Sequence, residues 1–282
     1  MTARKSTAPA QPKRDRSGYY TVEGQKLLSV TTILGKGIPK PALMHWAAKE
    51  VALAAIESAP QLARMRGSEA REQMVIHLKQ AAERKRDTAA DLGSLLHRYF
   101  EATALGEPAP DVPEDAMHFV SAHARFLADY APDWEASELV VANLTDGWAG
   151  TLDGIGNLPR FGPGLTLVDY KTGRGVYGEA GLQMAAYRRA EAGWLRDGTK
   201  VELPQGIERA VVVHVRPDAG YPRGYAVYPM TTDDRAYDMF LAAKGVAEHC
   251  SEPAIKALRG DALPDITSTH TEPSNAHREN AA

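Results

Sequence analysis

The chain has 282 residues, 44% hydrophobic and 24% charged, with a formal net charge of −3 and a single cysteine, Cys250. That is ordinary globular composition, long enough to bury a sizeable core as one elaborated domain or two small ones. It excludes a global basic field, so any nucleic acid must be gripped by a local, salt-sensitive patch, and one thiol excludes both an intrachain disulfide and an iron–sulfur cluster held by four cysteines.

Residues 1–18 are polar and rich in Pro and Ala, with Arg4, Lys5, Lys13, Arg14 and Arg16. They read as a disordered basic tail, either simply solvated or a loose phosphate-binding arm. Residues 19–34 alternate apolar and polar about Glu23-Gly24, which predicts a small hairpin leading into Ser29-Val30-Thr31-Thr32. Pro39-Lys40-Pro41 then opens a helix to about residue 58, with Leu43 and Trp46 toward the core and His45 at the surface. Residues 61–105 are helical in composition, as two helices. Arg84, Lys85 and Arg86 precede His97 on this stretch. Such a charge run is usually a solvated face, but beside a phosphodiester site it would hold phosphates. His97 and Glu101 stand at i, i+4 and share a helix face. That makes Glu101 a candidate for orienting His97, or only a surface carboxylate.

Residues 106–113 contain three prolines and read as a linker. Residues 114–130 predict an amphipathic helix with Phe119, Phe126 and Leu127 inward and His118 and His123 toward solvent. A strand over 137–143 carries Glu138, and Thr145-Asp146-Gly147 makes the turn after it. In the apolar run 147–158, Asp153 sits among apolar neighbours, where a lone carboxylate is costly and wants a cation or donors. Residues 165–168, after Gly162-Pro163-Gly164, predict a buried strand ending in Asp169-Tyr170-Lys171. Strand alternation puts Asp169 and Lys171 on one face and Tyr170 on the other. If the two runs pair, Asp153 and Asp169 converge on a cation with Lys171 beside it, and such hard oxygen ligands suit Mg²⁺ or Mn²⁺.

The glycines of Thr172-Gly173-Arg174-Gly175 let the backbone approach a phosphate, with Arg174 as a DNA contact or a bare loop cation. Periodicity predicts a helix over 179–194, with Gln183 and Tyr187 on one face and Arg188 and Arg189 solvated. Strands follow over 207–215 and 225–230, with His214 as a core or edge histidine, then a helix over 232–249. Apolar content drops from residue 251, and 264–282 should be disordered. The sum is an α/β (α+β) chain with a central mixed sheet flanked by helices and with N-terminal helical additions. It divides into a tail (1–18), a hairpin and helical region including the His97 helix (19–113), a core (114–250) and a largely disordered C-terminal tail (251–282). No apolar run reaches membrane-spanning length and no signal peptide is visible, so a reducing cytoplasm is expected.

Four motifs stand in order: Gly93-Ser94-Leu95-Leu96-His97, Gly150-Thr151-Leu152-Asp153, Asp169-Tyr170-Lys171-Thr172-Gly173, and Gln183-Met184-Ala185-Ala186-Tyr187. Together they resemble the PD-(D/E)XK nuclease superfamily, in its RecB-like branch, which includes lambda-type exonucleases and CRISPR adaptation nucleases. The resemblance covers roughly residues 86–230. Ser29-Val30-Thr31 and Leu34, followed by Lys40-Pro41, Leu43 and Trp46, are similar to the N-terminal segment of phage-encoded members. One departure is Leu152 where the superfamily's name has Pro, a change common in this branch.

The resemblance implies a restriction-endonuclease-like core with metal ligands at His97, Asp153, Asp169 and the Tyr170 carbonyl, and with Glu138 joining from the first strand. It implies Lys171 as a catalytic residue. Gln183 and Tyr187 match the helix motif, Gln183 holding Lys171 or the scissile phosphate region and Tyr187 packing helix on sheet. Arg174, Arg84, Lys85 and Arg86 are the DNA-contact candidates. The implied cofactor is one or two Mg²⁺ (or Mn²⁺), without an iron–sulfur cluster. The implied activity is a metal-dependent DNA exonuclease in phage or bacterial recombination, replication or repair. Its expected partners are DNA with free ends and recombination or replication proteins, with self-association open and no membrane. Two alternatives stay open: a non-catalytic DNA-end-binding or interaction module of the same fold, and a structure- or sequence-specific endonuclease.

Overall fold

The computed structural model describes residues 11–262. Positive φ at Glu23 (49°) and Gly24 (81°) closes the predicted hairpin of β1 (Tyr19–Val22) and β2 (Gln25–Ser29). Ser29 then caps α1 (Val30–Gly37), its hydroxyl accepting from the Thr32 N–H. The N-terminal additions are α2 (Pro41–Glu57), α3 (Ala59–Arg64), α4 (Ser68–Lys79) and the long α5 (Ala81–Leu105), so 59–105 forms three helices where two are expected. A short 3₁₀ turn leads into α6 (Met117–Tyr130). The sheet strands β3 (Asp133–Asn143), β4 (Trp148–Asn157) and β5 (Leu165–Lys171) follow, then α7 (Glu179–Tyr187). Short strands β6 (Ala192–Trp194) and β7 (Lys200–Val201) precede β8 (Ile207–Val215) and β9 (Tyr225–Pro229). The described chain closes with α8 (Asp234–His249) and α9 (Glu252–Lys256).

Strand order is β7-β6-β3-β4-β5-β8-β9, with β1 and β2 attached through the start of β4. β3, β4 and β5 are antiparallel, whereas β5 pairs parallel with β8 through the α7 crossover. The sheet is therefore mixed, with helices on both faces. Alternation along β8 shows the two faces directly. Ala210 and Val212 enter a core with Ile33, Trp148, Met184 and Phe240, on the side of α1, α7 and α8. Val211, Val213 and Val215 enter a second core with Leu96, Phe100 and Phe126, on the side of α5 and α6. A Cβ at Gly37 would overlap the Ala243 carbonyl, so glycine there lets α1 lie hard against α8.

One edge of β4 positions the site. β3 follows β4 throughout on one side. On the other, β2 pairs at Trp148 and Ala149 and β5 pairs from Gly154 to Asn157. Residues 150–153 between them have no strand on that edge. The Gly-x-x-Asp motif is this gap, and Asp153 closes it with its side chain.

Several expectations change here. The helix expected over 179–194 stops at Tyr187, because Arg188 turns away to bond Thr232 Oγ1 (2.6 Å) and the Ile207 carbonyl (2.7 Å). The apolar 192–194 run is then taken by the free edge of β3 as β6. Arg189 is likewise paired, with Asp234 and the Ala185 carbonyl, so neither arginine is simply solvated. Leu43 stays 53% exposed instead of facing the core. His123 is buried, stacked on Phe100 at 4.1 Å and bonded to the Tyr170 hydroxyl at 3.2 Å, against its expected solvent position. Residues 11–18, assigned to the tail, instead lie on the fold, with Gln11 donating to the Trp194 carbonyl (2.9 Å) and Arg14 to Ser29 (3.1 Å). The rest of both expected tails, 1–10 and 263–282, lies outside the described residues. Among the described residues no helix is long and apolar enough to cross a membrane.

Candidate metal centre

Two groups of side chains meet where β4 and β5 splay. On the α7 side, β5 delivers Asp169 and Lys171, as strand alternation predicts. Asp169 is buried, and its Oδ1 accepts from Lys171 Nζ (2.9 Å) and from Gln183 Nε2 (2.9 Å). Gln183 Oε1 in turn accepts from Lys171 at 3.4 Å, so the helix-motif glutamine braces both partners. Lys171 Nζ also lies 2.6 Å from Asp169 Oδ2, so the ammonium contacts both carboxylate oxygens. Burial, opposed by Lys171 and reinforced by the Asp153 charge, leaves the Asp169 carboxyl above its ordinary range. Burial works against the Lys171 ammonium, but Asp169 and Asp153 outweigh it and raise its pKa.

On the α5 side, one ligand atom each from His97, Glu138 and Asp153 lies within 4.8 Å of the others. Asp153 Oδ2 accepts from the Tyr170 N–H at 2.7 Å, which ties β4 to β5 across the gap, and stands 3.5 Å from His97 Nδ1. Glu138 reaches the group from β3 through a left-handed backbone (φ 48°), a conformation that costs a non-glycine residue about 1–3 kcal/mol. Gln11 donates to its carbonyl at 3.3 Å. Burial disfavours the His97 imidazolium, yet the Asp153 charge and hydrogen bond raise its pKa to about 9. Burial and the Asp153 charge push Glu138 up to about 8. Asp153 itself is held below its ordinary value, since His97 and Lys171 outweigh its burial. At neutral pH this half therefore keeps protons on His97 and Glu138 in place of a missing positive charge.

That donor set, two carboxylates and one imidazole, suits a divalent cation. Carboxylates favour Mg²⁺ or Mn²⁺ and imidazole also suits Zn²⁺, so the ligands by themselves do not select the metal. The grouping differs from the expected one. Glu138 completes the trio with His97 and Asp153, while Asp169 stands beside it, engaged by Lys171 and Gln183.

The other candidates fall as follows. Tyr170 turns its ring to the α5–α6 core, 5.0 Å from Phe100, as alternation predicts. Tyr187 is buried against Gly150, where a Cβ would sit 2.6 Å from the Tyr187 ring. Two motifs are thereby one packing unit. Glu101 does not orient His97; it is buried in an ion pair with Arg196, which also holds Glu107 at 2.9 Å. Lys85 pairs with buried Glu50 (2.7 Å), Arg86 with Asp87 (2.9 Å), and Arg84 donates to the His77 carbonyl (3.0 Å). The charge run is an exposed, locally paired face of α5, and Arg174 stands exposed on its loop. His214 is the expected core histidine, buried and bonded to the Gly173 carbonyl at 2.8 Å, so it fixes the loop after Lys171.

A cleft of about 470 Å³ opens onto His97, Glu138 and Asp153, with Arg98 and Ser94 on its wall. Arg98 and Arg196 were not singled out from sequence. Arg98 had a local signal, a cation next to His97; Arg196 reaches the site from a loop after β6 and had none.

No family model matches the chain, and no curated protein matches it. Among solved structures it is similar to one described as the crystal structure of SSO0001, at 15% identity, with a TM-score of 0.28. That match covers 49% of this chain and 59% of the other. So slight a likeness carries no argument about fold or function.

Proposed function

We propose that the chain is a divalent-metal-dependent deoxyribonuclease of the RecB-like PD-(D/E)XK type, hydrolysing phosphodiester bonds from DNA ends in the cytoplasm of a bacterial or phage-infected cell. The observation that carries this reading is the juxtaposition at one splayed strand pair: three candidate ligands within 4.8 Å of one another beside an Asp169–Lys171–Gln183 network. The four-motif resemblance supports the same reading.

His97, Glu138, Asp153 and Asp169 would hold the cation. When bound, it supplies positive charge against the phosphate and a more acidic water. The chain's own groups do the rest. Lys171, kept an ammonium by Asp169, orients a water by donating to it and stabilises negative charge growing on the phosphate. Gln183 fixes the Lys171 rotamer, so the ammonium needs little reorganisation during reaction. The Tyr170 N–H keeps one Asp153 oxygen aimed at the gap.

The test is purified protein with Mg²⁺ or Mn²⁺ on end-labelled duplex and single-stranded DNA and on a closed circle. Ends should be degraded, the circle spared, and chelator should stop the reaction. Asp169→Ala and Lys171→Ala should each lower the rate on the order of 10²–10⁴-fold while remaining folded by circular dichroism. Undiminished cleavage by Asp169→Ala excludes this chemistry. DNA binding without cleavage in any divalent metal would favour the interaction module, and cutting of the circle an endonuclease.

A further inference from the structure

Besides the His97 cleft there is a second cavity of about 320 Å³, lined by Leu34, Lys40, Lys171, Tyr177, Ala180 and Gln183. The two share no lining residue, but Lys171 and Gln183 on the second both bond Asp169, so it opens beside the centre. Its walls are unlike those of the first. Leu34 and Ala180 are buried and apolar, while Tyr177 stands 64% exposed at the mouth, with Gly175 near its ring. Lys40 and Glu179 pair across the rim at 3.0 Å. Gly173 and Gly175 put no side chain between Lys171 and Tyr177, leaving the backbone there open to a passing phosphate. Of the two hydroxyls on the wall, Thr31 already faces Ser29 Oγ at 3.3 Å and the other is the Tyr177 phenol.

We infer that this cavity takes one unpaired nucleobase of the strand being cut, stacked on Tyr177, so that the site acts on single-stranded ends. The inference rests on reading the metal centre as a phosphodiester site. The volume is at the lower end for ligand pockets, about 300–1,000 Å³, and takes one base, which must leave its partner to enter. Apolar walls with a free aromatic face hold a base by stacking, and ammonium groups at Lys40 and Lys171 match the phosphates on either side of it.

The test places 2-aminopurine at each of the first four positions from either end of a single-stranded oligonucleotide. Full-length protein is added in Ca²⁺ or in EDTA, so that no cleavage is needed, and fluorescence is read. Quenching of several-fold is expected at one position near one end. It should persist in Tyr177→Phe, vanish in Tyr177→Ala, and be absent in a blunt duplex. In Mg²⁺, an abasic nucleotide at that position should lower kcat/KM about tenfold for the parent enzyme and not at all for Tyr177→Ala. Uniform fluorescence at all positions, equal quenching in Tyr177→Ala, or equal quenching in the duplex overturns the inference. The two readings fail separately: cleavage without position-specific quenching removes the base pocket, and position-specific quenching without cleavage in any metal removes the nuclease.

Discussion

The two halves of the centre solve the burial of charge in opposite ways. The α7 half is nearly self-sufficient: Asp169 has Lys171 and Gln183 on one oxygen, and each partner braces the other. The α5 half is incomplete: Glu138 and Asp153 share one small volume with a single imidazole, and protons on Glu138 and His97 balance the charge. A buried carboxylate left without a cation neutralises itself before it unfolds a protein. The difference teaches which half would gain most from a bound cation. In the proposed reading the trio takes the cation, while the Asp–Lys–Gln network is already paired within the protein.

This contrast can be broken from either side. The largest effect on stability should come from the finished half. Lys171→Met leaves Asp169 buried without its countercharge and should destabilise by about 3 kcal/mol in urea titration, less than for a sealed pair because Lys171 is partly open to solvent. An equally stable Lys171→Met would mean that Asp169 is already protonated. Acid should cost nearly as much through His123, beneath Tyr170. Burial lowers its pKa to about 3, so the unfolded chain binds the extra proton below about pH 6.5 and stability falls from there toward pH 3. Going from pH 7 to pH 4 should cost about 3 kcal/mol through this residue. His123→Phe should flatten that slope, and an unchanged slope would place the acid sensitivity elsewhere. The smallest effect belongs to the unfinished half. Near pH 4, where the carboxyl is largely protonated in the folded and the unfolded chain alike, Glu138→Gln should change metal-free stability by no more than about 0.5 kcal/mol. The same variant should lose most of the Tm rise that millimolar Mn²⁺ gives the parent protein. A variant that keeps the full rise would remove Glu138 from the metal site.

Much of the site was legible because its signals are local. Asp169, Tyr170 and Lys171 are consecutive on a strand, so the period of two decides which share a face. Gln183 and Tyr187 are one helical turn apart and point the same way. Less legible were positions decided by distant partners. His123 has the spacing of a surface residue on α6, but Phe100 and Tyr170 close over it. Glu101 has the spacing to support His97, but Arg196 reaches it first. Residues 192–194 continue a helical pattern, yet the open edge of β3 offers backbone partners, and a sheet edge outweighs weak helical propensity.

By itself the sequence determined the mixed-sheet class, the strands carrying Asp153 and Asp169, and the Asp–Lys pairing, since each follows from periodicity or short spacing. Only the tertiary structure decided that Glu138 lies with His97 and Asp153, with Asp169 held beside them by Lys171 and Gln183. The reason is that β2 and β5 divide one edge of β4 between them. The gap they leave brings together side chains from α5, β3 and β4, and no local pattern encodes where two strands stop.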